Sequence, residues 1–427
     1  GDHGDAGPPQ WRWADAEPVG TGVPPQGPET TDAVLICYAA TSAQLKGIAD
    51  FHTALLAHHG GRVLHRRDCA PAEKGLDYEH FGFRDGLSQP VIRGTERFAR
   101  GAPPRDIVAA GEFILGYPDN QGYFALSPQV RSETDQFEAL PLATEDIPSR
   151  FPDFGAGASA GQPRDFGRNG CYMVIRDITQ HVDAFDAFAR RKANELKGLD
   201  RSDPAQNQYP ALFRQAGQDP DAEWIKAKIV GRWKDGRPLV GNPVPARKTK
   251  GPGVGDSRVI SAISNHHAEL DNDFAYGTDD PQGFACPFGA HIRRANPRDS
   301  KEPGDPTEQM ITNRHRLLRR GRSYQDGEEK GLLFVALCAD IERQFEFVQQ
   351  SWINAPAFHG LANEPDPLIG ARAAIADQAA SVFTIPTPAG SIKLSGMESF
   401  TTVRGGGYFF LPSQSAMRFL ANLSIPT

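Results

Sequence analysis

Three stretches of the chain concentrate side chains that can do chemistry. The first is Gly82-Phe83-Arg84-Asp85-Gly86, continued by Leu87-Ser88-Gln89-Pro90. An aspartate held between an arginine and a glycine can serve as a proton acceptor and donor. In a tight polar turn it can equally bond its own backbone. The second runs from Cys286 to Arg298, as CPFGAHIRRANPR. Histidine is a common ligand of iron, and the arginines that follow can neutralise an anionic group such as a carboxylate. A surface histidine in a basic turn fits the same letters. The third, Arg314 to Tyr324, is RHRLLRRGRSY. It reads as a solvated basic face, as a phosphate patch, or, because Leu317 and Leu318 interrupt it, as an element edge with some arginines turned inward. An inward arginine needs an anion or a polar ligand.

Of the other histidines, His58-His59 and His266-His267 are adjacent pairs whose side chains diverge. There is no HExxH and no Walker A loop, so a metalloprotease or a nucleotide enzyme has no support.

The elements that must position these residues follow from periodicity. Residues 33–38 (AVLICY) form an apolar run expected as a buried strand. A helix pattern follows, capped by Ser42, with Leu45, Ile48, Leu55 and Leu56 on roughly one face and Gly60 at its end. Residues 62–65 are expected to return as a strand. The rhythm recurs at 171–188, where CYMVIR is a strand and a helix turns Val182, Phe185 and Phe188 inward. It recurs again at 331–352, where GLLFVALC is a strand and Ile341, Phe345, Val348 and Trp352 mark a helix face. Strand–helix units among Gly/Pro loops predict an α+β protein with sheets covered by helices. The likeness of the first two units suggests two related halves that meet near residues 155–168. Residues 1–30 read as an extended arm. Residues 200–260 read as an insertion packed over the second half, with GRWKDGRPLV as its one distinctive patch.

Composition sets bounds. A chain of 427 residues, 39% hydrophobic and 23% charged, fits a globular protein with a sizeable core. No apolar run approaches the length of a membrane span. The formal net charge of -7 argues against a dedicated nucleic-acid binder. Five scattered cysteines without a CxxC suggest neither a zinc ribbon nor covalently attached haem. Three of them sit in apolar, strand-like runs and read as small buried hydrophobes. The first residues lack the basic start and apolar stretch of a secretory leader. The chain begins with Gly rather than Met, so a lost export signal stays open. A reducing, cytoplasmic setting is the expectation.

Together these stretches resemble the dye-decolorizing peroxidase family. GFRDG matches that family's GxxDG motif. CPFGAHIRRANPR resembles its proximal-histidine segment, and LLRRGRSY the segment carrying its distal arginine. GEFILGYPDNQG at 111–122, GRWKDGRPLV at 231–240, the GLLFVAL run and GGGYFFLPS at 405–413 also resemble family segments, in the expected order. The resemblance implies two ferredoxin-like domains, at 1–165 and 166–427, with non-covalent haem b and its iron held mainly by the second. It implies His291 as the axial ligand, Asp85 as the distal acid–base carboxylate and Arg319, with Arg320 its easily confused neighbour, as the distal arginine. Leu332 and Phe334 match apolar positions of the distal pocket. Arg293, Arg294, Arg298 and Arg314 are candidates for the haem propionates. Two positions depart from the pattern. Gly407 stands where some members place an acidic partner for the histidine, which leaves the partner of His291 Nδ1 open. Gly321 stands where some carry an asparagine two residues after the arginine.

The expected substrates are hydrogen peroxide and dyes, phenols or other aromatic donors, with the chain a monomer or homodimer and no nucleic-acid or membrane partner. Peroxide must give up a proton and later receive one on its leaving oxygen, which Asp85 can manage. Arg319 can steady developing negative charge without changing protonation. Trp233, Tyr324, Trp352 and Tyr408 are candidates to carry electrons to bulky donors, packing being the alternative role. A haem carrier on the same scaffold is the competing reading, separated by adding one equivalent of peroxide and recording the absorption spectrum. A model-peptide aspartate titrates at about 3.9, far below histidine. The activity optimum is therefore expected at or below about pH 5. A profile that peaks near neutrality and is unchanged by Asp85→Asn would contradict this.

Overall fold

The computed structural model describes residues 7, 11–14, 30–75, 77–144, 161–198, 220–243, 272–300, 302, 305, 307–372 and 381–423. Its largest sheet has six strands. Thr401–Leu411, Cys171–Gln180 and Glu329–Cys338 lie side by side and antiparallel. Leu318–Arg319 and Arg322–Asp326 pair with the free edge of Glu329–Cys338, and Trp13–Ala14 lies parallel to Thr401–Leu411. Helix Val182–Lys197 follows the first long strand and a helical segment, Glu342–Ile353, follows Glu329–Cys338. Taken in chain order this is strand, helix, two hairpin-joined strands, helix, strand, with the last strand beside the first. That is the ferredoxin-like βαββαβ plan, and the α+β class holds.

Glu329–Cys338 reads as continuously apolar because both sheet faces are covered. Leu333, Val335 and Leu337 pack with Trp13, Met173 and Ile175 on one face. Phe334, Ala336 and Cys338 pack with Val174, Phe345 and Tyr408 on the other. In the helix Val182–Lys197, Phe185, Phe188, Ala189, Lys192 and Ala193 form one buried stripe at helical spacing. The stripe enters the main core, where the Phe81 and Phe185 rings stand 4.9 Å apart. Helix Ala222–Val230 is buried from Trp224 onward in the same core. The described residues of the expected insertion share this core with Phe81, Phe83 and the helix Val182–Lys197; most of 200–260 and residues 145–160 of the expected domain boundary lie outside the described residues. The segment Glu342–Ile353 turns Phe345, Val348 and Trp352 inward, but its helix is wide. Glu346 N–H reaches Ile341 O and Asn354 N–H reaches Gln349 O, five residues back.

The N-terminal elements differ from the expectation. Residues 33–38 and 62–65 form no strand. Val34 and Ile36 pack beside Trp13, while Leu35 and Tyr38 face outward, each 63% exposed, because no described strand lies alongside to take up their backbone. The helix forms over Ser42–His58, capped by Thr41 rather than Ser42, but none of its residues is buried. Of the cysteines, Cys171, Cys286 and Cys338 are buried, and all five are unpaired. No helix among the described residues is long and apolar enough to cross a membrane.

The N-terminal segment is tied to the sheet by charge. Arg67 Nε and Nη2 donate to Asp177 Oδ2 at 3.1 and 2.7 Å, and the guanidinium lies 4.0 Å from the Tyr324 ring centre. Gly331, paired with Tyr324, makes room for that ring, since a Cβ there would come within 2.2 Å of it. Burial pushes the Asp177 carboxyl up, but the Arg67 hydrogen bonds and charge, with the polar His65 and Tyr324 side chains nearby, outweigh it and hold the group down at about 2. A carboxylate depressed on folding stabilises above its unfolded value, about 3.9, and the contribution is lost as pH falls through 4 toward 2. The gap of roughly two units corresponds to about 3 kcal/mol. Asp177→Asn is therefore expected to lower urea-unfolding stability by about that much or more at pH 7, the difference closing near pH 2. A difference that stays constant over this range would contradict the ion-pair account.

Candidate active site

His291 opens a one-turn helix, His291–Ala295, behind the buried turn residues Cys286 and Ala290. Its Nδ1 lies 2.9 Å from Asp366 Oδ2. Asp366 is fully buried, and its Oδ1 accepts the backbone N–H groups of Leu368 and Ile369 at 2.9 and 3.0 Å. With Nδ1–H donated to the carboxylate, Nε2 keeps its lone pair free to ligate. Burial lowers the proton affinity of His291, but the Asp366 charge and hydrogen bond raise it above the ordinary imidazole value. Reciprocally, burial raises Asp366, and His291 brings it below the usual carboxylate range. The partner left open in the sequence is thus Asp366, from the Glu364-Pro365-Asp366-Pro367 segment. Position 407 does not supply it: Gly407 is buried in the sheet opposite Ile175.

The His291 side chain keeps 24% of its surface accessible, so the ring is not sealed in the core. Arg319 and Asp85 are both close enough that their charges bear on its protonation, the first opposing and the second favouring it. Among the described residues no three or more His, Cys, Asp or Glu gather as a metal site. A single, partly accessible imidazole backed by a carboxylate is a donor set that fits a haem iron.

The loop bearing Asp85 is held from three directions. Glu79 and Gln180 fix its start, as Glu79 Oε1 accepts Phe83 N–H at 2.7 Å and Gln180 Nε2 donates to Glu79 Oε2. The GRWKDGRPLV turn braces its side: Arg84 N–H donates to Lys234 O at 3.1 Å, and Gly236, at φ +97°, brings the turn against Leu87. Arg319 clasps its end. Arg319 Nη2 donates to Leu87 O at 2.6 Å and its backbone N–H to Gln89 Oε1 at 3.0 Å. Arg316 adds a bond to Ser88 O at 2.9 Å while pairing with Asp106. Asp85 is half-buried and its own N–H donates to Asp77 O. Among the described residues its carboxylate takes no hydrogen bond, so it is not consumed as a turn cap.

The strand register orients the opposite wall. Arg319 pairs with Ala336, so its side chain leaves the sheet on the face that carries Leu332 and Phe334. Arg320 emerges on the other face and is exposed, which separates the two neighbours. A Cβ at Gly321 would lie 2.8 Å from Leu333 O, which accounts for the glycine at this position.

The arginines after His291 do not gather as expected. Arg293 bonds Asp280 and Cys286 O. Arg294 donates to the carbonyls of Trp352, Ile353, Ala355 and Glu364. Arg298 bonds the Asn272 and Phe274 carbonyls. All three are at most 2% exposed. Their Nη donors fasten backbone carbonyls and, for Arg293, the Asp280 carboxylate, while the Nε of Arg293 and of Arg294 is buried without a partner among the described residues. Arg314 is half-buried, with Nε buried and without a partner among the described residues. Trp233, Tyr324 and Trp352 are at most 6% exposed, which withdraws them from direct contact with a bulky donor.

With this geometry in hand, similarity to known proteins becomes informative. The family profile "Dyp-type peroxidase, C-terminal" matches residues 227–360. The "Multifunctional dye peroxidase DyP2" of Amycolatopsis sp. is 27% identical over 426 residues, covering 92% of this chain and 72% of that protein. "Peroxidase 2" of Mycetinis scorodonius is 27% identical over 369 residues, covering 80% of this chain and 56% of its own length. This chain therefore spans little more than half of some relatives. Among solved structures, an ancestral D-type dye decolorizing peroxidase superposes with a TM-score of 0.57 at 24% identity, over 90% of this chain and 72% of the other. A variant of the dye-decolorizing peroxidase from Pleurotus ostreatus gives 0.58 at 24% identity, over 88% and 70%. The ordered motifs, the ferredoxin-like sheet and these likenesses agree: the chain is similar to the dye-decolorizing (DyP-type) peroxidases along most of its length and shares their fold.

Proposed function

We propose that this chain is a haem peroxidase that uses hydrogen peroxide to oxidise dyes, phenols or other aromatic donors. The observation that supports the reading is His291 backed by Asp366, with the Asp85 loop bonded to Arg319 through Leu87 O and the charges of Asp85 and Arg319 both reaching His291. In this reading residues 1–165 contribute Asp85, residues 166–427 contribute the cofactor ligand, and Arg314 is the arginine left to meet the cofactor's carboxylates. Haem bound at His291 would supply the redox centre at which peroxide is reduced.

The protein's own part is proton handling and charge. Asp366 holds His291 in the tautomer whose Nε2 points its lone pair outward, and adds electron density through the Nδ1 bond. The Asp85 carboxylate takes a proton from peroxide and returns it to the departing oxygen. Arg319 has one Nη pinned by Leu87 O and directs its remaining N–H groups and fixed charge at the oxygen where negative charge develops. Leu332 and Phe334 keep that space apolar, which strengthens both effects.

Reconstitution and stopped-flow mixing with peroxide test this. His291→Ala is expected to lose haem on gel filtration. Asp85→Asn is expected to keep haem and slow the peroxide step by roughly 10²–10⁴-fold, and Arg319→Leu by roughly 10²–10³-fold. Asp366→Asn is expected to cost roughly 10–100-fold in haem affinity or activity. A wild-type protein that binds haem but leaves peroxide and aromatic donors unchanged would overturn the proposal.

A further inference from the structure

The buried carboxyl of Glu79 has no part in the chemistry above, yet it lies at the root of the Asp85 loop. Residues Tyr78 and Arg84 form an antiparallel bridge, closed by Glu79 N–H to Phe83 O at 3.1 Å and Gly82 N–H to Glu79 O at 2.9 Å. Gly82 turns the chain at φ +89°, a conformation that favours glycine. Into this small loop the Glu79 side chain folds back. Its Oε1 accepts Phe83 N–H at 2.7 Å and its Oε2 accepts Phe81 N–H at 2.8 Å. Gln180, last residue of the strand Cys171–Gln180, donates Nε2 to the same Oε2 at 2.5 Å and accepts His80 N–H at 3.4 Å.

Three N–H donors therefore converge on one carboxylate. Two belong to the turn that leads directly into Asp85, and the third to the central sheet. Phe81 and Phe83 are buried on either side of Gly82, so these two amides have no water to turn to. Glu79 keeps some exposed surface, but its carboxyl is enclosed: burial pushes it up to about 7, and the negative charge of Asp85 adds to the rise, which places the two carboxyls near each other.

We propose that Glu79 is a positioning residue for the peroxide step. Its carboxylate fixes the Phe81–Phe83 turn to the sheet through Gln180 and so sets where the Asp85 carboxylate stands. The inference rests on the reading of Asp85 as the proton-transferring group. Deleting a partner from a buried polar network leaves its donors unsatisfied and lets the turn relax, and a displacement of about 1 Å at a reacting group can cost roughly 100-fold in rate.

The test compares Glu79→Gln and Glu79→Ala with wild type and Asp85→Asn, all loaded with haem, well below their melting temperatures and at about pH 8, where the Glu79 carboxyl is ionised. Glu79→Gln keeps one acceptor for Phe83 but sets an NH₂ against Phe81 N–H and Gln180; Glu79→Ala removes both acceptors. The bimolecular rate with peroxide is expected to fall roughly tenfold in the first and 100-fold in the second, with KM for the aromatic donor and haem content unchanged. In the haem-free proteins, amide exchange at Phe81 and Phe83 is expected to quicken in the same order. Variants that lose melting temperature but react with peroxide as fast as wild type, while Asp85→Asn is slow, would overturn the role of Glu79 and leave the proposed function standing. If Asp85→Asn matches wild type, the function and this inference fall together.

Discussion

The arrangement of this protein turns on one clasp, the guanidinium of Arg319 on the carbonyl of Leu87, doubled by the Arg319 amide on the Gln89 side chain. It joins a loop from the first hundred residues to a strand more than two hundred residues later. Without it the carboxylate and the cation would belong to separate surfaces. A charge-assisted bond to a carbonyl, made in a half-buried place, is strong enough to hold a loop and directional enough to fix which N–H groups remain free. The sheet register then decides the rest: because Arg319 pairs with Ala336, the same face carries Leu332 and Phe334.

The site has two differently built sides. Below, His291 and Asp366 form a closed pair, with every oxygen of the carboxylate occupied. The carbonyl cage around Arg294 fastens the helix of His291 to the segment of Asp366, since Glu364 O and the carbonyls of 352–355 meet on one guanidinium. Above, Asp85 is left without a hydrogen bond among the described residues while everything around it is bonded. In the proposed reading, a rigid ligand and an unencumbered carboxylate are what the two sides of a peroxide-reducing centre would require.

Much of this was legible in the sequence. GFRDG, the histidine of CPFGAHIRR and the arginine of LLRRGRSY could be named because short motifs survive in order, and GLLFVALC and the Val182–Phe188 stripe announced their elements by period. What could not be read depended on long-range partners. Asp366 lies 75 positions from His291, in a Pro-flanked turn with no periodic signal. Arg293, Arg294 and Arg298 look like free cations in a string of letters, yet each is caged by backbone carbonyls that no local pattern foretells. Residues 33–38 carry a strand's composition but no described strand beside them, so composition alone misled.

The central claim is that Asp85 and Arg319 act as one unit because the clasp holds them together. A double-mutant cycle on the peroxide rate constant, with Asp85→Asn, Arg319→Leu and both together in haem-loaded protein, measures that directly. The account requires strong coupling, with the double variant little slower than the slower single one. Losses that simply multiply would show two independent contributions and contradict it.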